Sequence, residues 1–152
     1  MTIAEMTRRV KAFDVVKESA EIMNRKEAEL LTYNKEQLMS GVNKDGTPLR
    51  DYYFAWYADF KSRLNGKGVT DLYVTGQFHD KFYLTTNQDN TYTVNSQDGK
   101  TYKLINGWVG KSGVSVPGYG PKIFGFTEES KRMIRERIMY PEMKKVVDTK
   151  IF

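Results

Sequence analysis

Near the start of the chain, apolar residues recur every three or four positions with charged residues between them. The apolar positions between residues 3 and 23 are Ile3, Met6, Val10, Phe13, Val16, Ala20 and Met23. This spacing predicts an amphipathic helix. The sequence from Asn34 to Gln37 resembles a capping box, so a short helix is predicted to begin there and to end by Gly41.

The next predicted helix carries a stripe of aromatic residues. Four residues between Asp51 and Leu64 fall on one helical face with Trp56 beside them: Tyr53, Tyr57, Phe60 and Leu64. We expect this stripe to pack into the core, which is more common for such a pattern than a platform for a ligand. Turn-forming residues at 43–48 predict a chain reversal just before it.

The centre of the chain alternates apolar and polar residues with the period of a β-strand. Three such segments, separated by turn-forming sequences, are residues 77–86, 92–94 and 102–104. With a short strand at Leu72–Val74, they predict an antiparallel β-meander of three to four strands. In this meander His79 would lie opposite in parity to Phe78 and Phe82, and so at the surface.

Residues 106–120 combine five glycines and Pro117 with large apolar side chains. We predict a long loop whose apolar residues stay exposed until a partner covers them. Together with two apolar residues at the end of the sequence, the interface candidates are Trp108, Val109, Val114, Val116, Tyr119, Ile151 and Phe152. Trp108 and Tyr119 would be the main anchors, because central aromatic residues contribute about 2 kcal/mol or more to interfaces.

A last helix is predicted after Thr127, which can cap a first turn that contains Glu128 and Glu129. Its later turns hold the densest basic cluster of the chain: Lys131, Arg132, Arg135 and Arg137. This cluster is either a solvated helix face or a contact for phosphate or an acidic partner. Pro141 is expected to break or kink the chain.

The predicted helices and strands together give an α+β fold class, and the length of the chain fits a single domain. A chain of 152 residues fits one domain, and 13% aromatic residues argue against disorder. We expect residues 1–152 to form one domain with N-terminal and central amphipathic helices and a C-terminal helix. Its parts are a helical region (1–65), an antiparallel sheet (71–105), the Gly-rich loop (106–120) and a C-terminal helical segment (127–152).

The sequence offers few residues suited to catalysis. It has no cysteine, one histidine, and no carboxylates clustered at ligand spacing. The Glu142-Met143-Lys144 sequence resembles the Glu-x-Lys limb of metal-dependent nucleases but lacks an aligned carboxylate partner. We therefore expect no enzyme activity, no cofactor or metal and no small-molecule substrate. Charges spread through residues 1–24 predict a soluble intracellular protein without a signal peptide or membrane segment.

Four segments together resemble the head-tail connector and tail-completion (neck) proteins of tailed bacteriophages, most closely those of gut Bacteroidetes phages. They are Leu31–Leu49, the aromatic helix at Tyr52–Lys61, Asp71–Phe78 and Ile123–Thr127. The resemblance implies a small α+β subunit that assembles as a ring between portal and tail. It implies no catalytic residues, and the Gly-rich segment 106–120 departs from the simplest family pattern.

The leading prediction is therefore a virion structural protein, made in the host cytoplasm and located at the head-tail junction. Its partners would be copies of itself in a ring and other neck, portal or tail proteins, with DNA at most nearby in a channel and no membrane. The alternative is a small basic nucleic-acid-binding protein, because the net charge is +5 and aromatic residues on a sheet can stack on bases.

Overall fold

The computed structural model describes residues 1–66 and 68–152 and has an α+β architecture, as predicted. The helices are α1 (Ile3–Ala12), α2 (Val15–Arg25), α3 (Glu27–Met39), α4 (Ala55–Asn65), α5 (Gln77–Asp80), α6 (Thr101–Asn106), α7 (Glu128–Ile134) and α8 (Tyr140–Lys150). The strands are β1 (Phe82–Thr86), β2 (Tyr92–Ser96), β3 (Gly107–Val109) and β4 (Ser115–Pro117).

The amphipathic pattern at the start of the chain forms two helices instead of one. Phe13 and Asp14 adopt extended backbone between α1 and α2, and the Asp14 carboxylate accepts a hydrogen bond from the backbone N–H of Lys17 at 3.1 Å. An Asp at this position satisfies a free amide of the new helix and so favours the break. All twelve residues from Met1 to Ala12 are exposed.

Asn34 and Gln37 lie inside α3, so the predicted helix start at Asn34 is wrong. Their amides instead bind the backbone of residues 123–127 about 90 positions later. Asn34 Nδ2 donates to the Ile123 carbonyl oxygen at 3.0 Å, and its Oδ1 accepts from the Gly125 N–H at 3.0 Å. Gln37 Nε2 donates to Gly125 O at 3.0 Å, and its Oε1 accepts from Thr127 N at 2.9 Å. These four hydrogen bonds form the amide clamp.

The predicted meander of three to four strands is replaced by two separate two-stranded hairpins. β1 and β2 pair antiparallel with Leu84 opposite Val94. The third predicted strand, at 102–104, is helical because Asp98 accepts from the N–H groups of Lys100 and Thr101 and starts a helical turn. Residues 72–74 form no strand, since Leu72 has a φ of 56°, outside the extended region.

The Gly-rich segment forms the second hairpin, β3–β4, so the prediction of a loop without secondary structure is wrong. Trp108 pairs with Val116 across it. Glycine is required because a Cβ atom on Gly107 would lie 2.2 Å from the Val116 carbonyl oxygen. A Cβ atom on Gly118 would lie 2.1 Å from the Ile105 carbonyl oxygen. The glycines thus permit close backbone packing.

The C-terminal helix begins as predicted, with the Thr127 hydroxyl accepting from Ser130 N at 3.1 Å. Pro141 does not break it. A π-helical segment, Arg135–Met139, joins α7 to α8, and Pro141 lies in the first turn of α8, where the missing N–H is tolerated best. Helical backbone therefore continues from Glu128 to Lys150.

Two apolar clusters form the core. The larger one packs α3 against the β1–β2 hairpin and the segment before α7, and contains Leu31, Leu38, Leu72, Phe78, Phe82, Val94, Ile123 and Phe124. The smaller one joins α2, α3 and the C-terminal helix through Met23, Leu30, Ile134 and Ile138. Leu84 and Phe126 contact both clusters and link them.

Candidate interaction surface

A groove of about 360 Å³ opens between three parts of the fold. Its walls are the segment 50–57 leading into α4, the segment 72–78, and α6 with the β3–β4 hairpin. Most of the lining is aromatic or aliphatic, and we call it the aromatic groove: Arg50, Tyr52, Tyr53, Phe54, Trp56, Tyr57, Leu72, Val74, Thr75, Gly76, Gln77, Phe78, Lys100, Leu104, Trp108, Val116 and Tyr119. Pockets of this composition are typical of binding sites.

Three of the four residues of the predicted aromatic stripe are exposed and Tyr57 is partly buried, so the prediction that the stripe packs into the core is wrong. Trp56 is 68% exposed, and Tyr53, Phe60 and Leu64 are each about half exposed. The side of α4 that points inward instead carries Lys61, which is almost fully buried. Tyr57, one helical turn before Lys61, is partly buried, so α4 is rotated relative to its hydrophobic stripe and leaves Trp56, Phe60 and Leu64 at the surface.

A buried ion pair explains why α4 has this orientation. Lys61 Nζ lies 2.9 Å from Asp71 Oδ1, and both side chains are excluded from solvent. The ammonium has no partner with good hydrogen-bond geometry in the described part of the chain, so the contact acts through charge. Tyr73 N and Tyr52 OH also donate to Asp71 Oδ1, at 2.9 and 3.3 Å. The pair connects α4 with the segment 71–78 and fixes two walls of the groove.

His79 is buried beneath the same segment, so its predicted surface position is wrong. It lies in α5, where strand parity does not apply, and its Nε2 donates to the Asp71 carbonyl oxygen at 3.1 Å. Its ring stacks on Phe82 and meets Tyr73 edge-on. Burial lowers the pKa of His79, which keeps the imidazole neutral. Burial also raises the pKa of Tyr52, and the nearby Asp71 carboxylate adds to the effect.

Arg50 attaches the β3–β4 hairpin to the segment before α4. Its guanidinium lies 4.3 Å from the centre of the Tyr119 ring and donates to the carbonyl oxygens of Asp51 and Pro117. Burial raises the pKa of Tyr119. A cation over an aromatic face is favourable, and these contacts hold the third wall of the groove in place.

The structure separates the seven predicted interface residues into two groups. Trp108, Val109, Val114 and Phe152 are exposed, as the prediction requires. Val116 and Ile151 are buried by the chain's own residues, and Tyr119 is half-buried under Arg50. Val116 lines the groove and pairs with Trp108 across the hairpin. Ile151 directly follows α8, which packs on α2. Lys150 Nζ lies 2.5 Å from Glu18 Oε1 at this contact. These three residues do not meet the expectation of free anchors.

The predicted charged face on α7 is partly neutralised by its own helix. Lys131 pairs with Glu128 at 2.8 Å, and Arg132 pairs with Glu129 at 2.6 Å and Glu136 at 3.0 Å. The Arg132 contact lowers the pKa of Glu129. Arg135 and Arg137 are exposed, and no carboxylate of the described residues lies within ion-pair distance of either.

Glu142, from the sequence that resembles a nuclease limb, has a structural role. Its carboxylate contacts Arg25 Nη2 and Lys145 Nζ, each at 2.7 Å, and so connects α8 to α2. The hydrogen bonds from Lys145 and Arg25 lower the pKa of Glu142 to about 2. The described residues contain no group of three or more histidine and carboxylate side chains that could hold a metal ion.

Sequence reasoning missed the groove because its residues come from segments up to about 70 positions apart. The sequence does contain one sign of the groove: the apolar residues of α4 are not confined to a single stripe but also include Trp56.

None of the helices formed by residues 1–66 and 68–152 combines the length and hydropathy that crossing a bilayer takes. Comparison with known family models, curated proteins and solved structures finds no match to this chain.

Proposed function

We propose that the chain is a structural assembly subunit that forms a ring at the head-tail junction of a tailed-phage virion. The observation that carries this proposal is the exposed aromatic surface around the groove, where Trp56, Tyr53, Phe54 and Trp108 are all at least 39% exposed. Contiguous apolar surface of this kind marks interaction sites, because leaving it in water is unfavourable. Assembly would bury it.

Helix α1 gives a second surface for assembly. It presents Ile3, Met6 and Val10 on one side, and no residue from Met1 to Ala12 is buried. A neck ring needs contacts between its own copies and contacts with the proteins above and below it. The aromatic surface and α1 supply two different surfaces for these contacts.

The assignment to a phage neck rests on the resemblance of four segments to connector and tail-completion proteins. The structure holds these segments together in pairs. The amide clamp joins the first segment to Ile123–Thr127, and the ion pair of Lys61 with Asp71 joins the aromatic helix to Asp71–Phe78. Contacts between the resembling segments support the proposal that they form one shared structural unit.

The test is to mix the purified protein with its portal and neck neighbours and to measure mass by light scattering and shape by negative-stain microscopy. We expect rings with the wild type and loss of rings with Trp56→Asp and Trp108→Asp. Tyr140→Asp is the matched control, because Tyr140 is 63% exposed but lies on α8, outside the groove. Persistent monomers in the wild-type mixture would contradict the proposal.

One observation favours the alternative, nucleic-acid binding. Three lysines from separate segments, Lys44, Lys122 and Lys131, line a second, shallow cavity of about 590 Å³. Two of them already pair with carboxylates, since Lys122 contacts Asp45 at 2.6 Å and Lys131 contacts Glu128. DNA binding that weakens steeply with salt and is lost in Lys44→Glu would support this alternative. No binding at about 50 mM salt would remove it.

A further inference from the structure

We propose that the aromatic groove binds an apolar peptide segment of a different chain, and that this segment carries a carboxylate which pairs with Lys100. The inference rests on the proposed function, since it names the kind of partner that the exposed aromatic surface takes. In a neck, such a segment would come from a protein above or below the ring. The shape, lining and charge of the groove favour this occupant.

The shape and lining of the groove suit a short peptide. Its volume of about 360 Å³ lies near the lower end of the range for ligand sites, roughly 300–1,000 Å³. A few apolar side chains fill such a space, whereas a folded domain does not enter it. The ion pair of Lys61 with Asp71 and the contacts of Arg50 hold the walls, so little ordering is needed on binding.

The charge in the groove selects an anionic partner. Arg50 and Lys100 are the charged residues of the lining, and none of the lining residues is acidic. Arg50 is already engaged by Tyr119 and two carbonyl oxygens. Among the described residues, no carboxylate lies within ion-pair distance of the Lys100 ammonium. One cation beside an apolar groove matches one carboxylate on an apolar segment.

The carboxylate that acts on Lys100, that of Asp98, is shared with another cation. Asp98 is the nearest acidic residue before Lys100, but the Asp98 carboxylate accepts from the Lys100 backbone N–H at 2.9 Å and lies 3.3 Å from Lys81 Nζ. After Asp98, the next acidic residue in the sequence is Glu128. Lys103 and Lys111 are also exposed in this stretch. Between Asp98 and Glu128, every charged residue of the sequence is basic.

Single-stranded nucleic acid fits the groove less well than a peptide. A strand carries one phosphate per nucleotide and needs several cations along its path, whereas Lys100 is the one uncommitted cation among the described lining residues. Three of the four ring pairs among the described lining residues are edge-on, as for Tyr53 with Phe54 at 89° and Trp56 with Tyr57 at 78°, and the fourth, Phe54 with Trp56, is tilted at 31°. Such packing does not give a series of parallel faces on which bases could stack.

A second copy of this chain also fits less well, because its exposed amphipathic helix α1 is cationic. Helix α1 carries Arg8, Arg9 and Lys11 against a single acidic residue, Glu5. This helix would bring positive charge against Lys100 and Arg50. Like charges at an interface are unfavourable, so the copy-to-copy contacts of the ring lie elsewhere.

The groove has a built-in reporter, because Trp56 and Trp108 are both of the chain's tryptophans and both line it. The probes are three tryptophan-free peptides, acetyl-Phe-Leu-Xaa-Leu-Phe-amide, in which the central residue is Asp, Asn or Lys. Titration is followed by tryptophan emission of the purified full chain. We expect the Asp peptide to bind about fivefold more tightly than the Asn peptide, and the Lys peptide to bind most weakly.

Substitution of the lysine tests the pairing directly. In Lys100→Glu we expect the order to reverse, so that the Lys peptide binds most tightly. Lys103→Glu is the matched control, since it makes the same charge change three residues later, inside α6 and outside the groove lining, and it should keep the wild-type order. Circular dichroism of each variant checks that it is folded.

Four outcomes would overturn the proposal. They are equal binding of the three peptides, no change in emission with any of them up to millimolar concentration, an emission change with oligothymidylate instead, and self-association of the isolated chain, without portal or neck proteins, that Trp56→Asp abolishes. If rings form but the peptides do not bind, the proposed function stands and this inference fails. If the peptides bind in the predicted order but no rings form, the inference on the groove stands without the ring.

Discussion

The two sides of the molecule treat apolar residues in opposite ways. On the side of α3, Leu30 and Leu38 are fully enclosed and the amide clamp secures the segment that covers them. On the side of α4, Trp56, Phe60 and Leu64 are exposed while Lys61 is buried. The fold thus buries some of its aromatic residues in the core but leaves another group of them exposed at one surface.

The two sides therefore contribute differently, one to the stability of the fold and the other to binding. Burying a lysine with an aspartate is costly, and a well-packed apolar pair of similar size is often as stable or more so. Here the ion pair places the aromatic residues of α4 outward. We infer that the α3 side provides the stability and the α4 side provides the contact surface.

The largest effect is expected from a matched pair of leucine substitutions. Leu38→Ala should lower the free energy of unfolding by about 4 kcal/mol, because Leu38 is fully buried and its removal leaves a cavity. Leu64→Ala should change it by less than about 0.5 kcal/mol, because Leu64 is 53% exposed on α4. Urea unfolding followed by circular dichroism gives both values. Equal losses would remove the distinction between the two sides.

The second effect concerns the buried ion pair. Lys61→Met should destabilise the protein by about 3 kcal/mol, because it removes the buried ammonium that lies 2.9 Å from the buried Asp71 carboxylate. Adding Asp71→Asn should restore part of this loss, since the remaining donors Tyr52 and Tyr73 can still bond to the amide oxygen. A double-mutant cycle by urea unfolding measures the coupling. Additive losses would show that the two charges do not interact.

The amide clamp should have a smaller effect. Asn34→Ala removes two hydrogen bonds and leaves the Ile123 carbonyl and the Gly125 N–H without this partner, at a cost of about 2 kcal/mol. The control is Asn24→Ala, at an exposed position of α2, where we expect almost no loss. Thermal unfolding compares the two variants. Similar midpoints for both would mean that the clamp does not stabilise the fold.

The smallest effect is a pH dependence from His79. Burial lowers its pKa, so the unfolded chain, with a pKa of about 6.5, takes up a proton before the folded chain does. The contribution of neutral His79 to the free energy of unfolding should be fully present above pH 6.5. It should fall as the pH drops below 6.5 and level off below the pKa of His79 in the folded chain. In His79→Gln this part of the decline should be absent. Urea unfolding between pH 8 and pH 5 gives the free energy of unfolding of both proteins at each pH. Parallel pH curves for the wild type and His79→Gln would contradict this prediction.

Local signals allowed part of the fold to be predicted. The β1–β2 hairpin was predictable from the turn sequence at 87–90, and the start of α7 from Thr127. Each signal acts on neighbours within a few residues. The start of α3 was not predictable from Asn34, because the partners of its amide lie 89 and 91 positions away and no local pattern encodes them.

The candidate site was predictable only in part, and for a similar reason. Exposure of Trp108 and Val109 followed from their position between glycines. Exposure of Trp56 did not follow, because apolar residues cover more than one side of α4 and the pattern alone does not tell which side faces the core. The deciding contact is the ion pair of Lys61 with Asp71, which is tertiary.

The most direct test of the central claim is acrylamide quenching of tryptophan emission, measured on the isolated protein and on the protein assembled with its portal and neck neighbours. The account predicts ready quenching in the isolated chain and strong protection on assembly, because Trp56 and Trp108 both line the aromatic groove. Assembly that proceeds while both tryptophans stay equally accessible to acrylamide would contradict it.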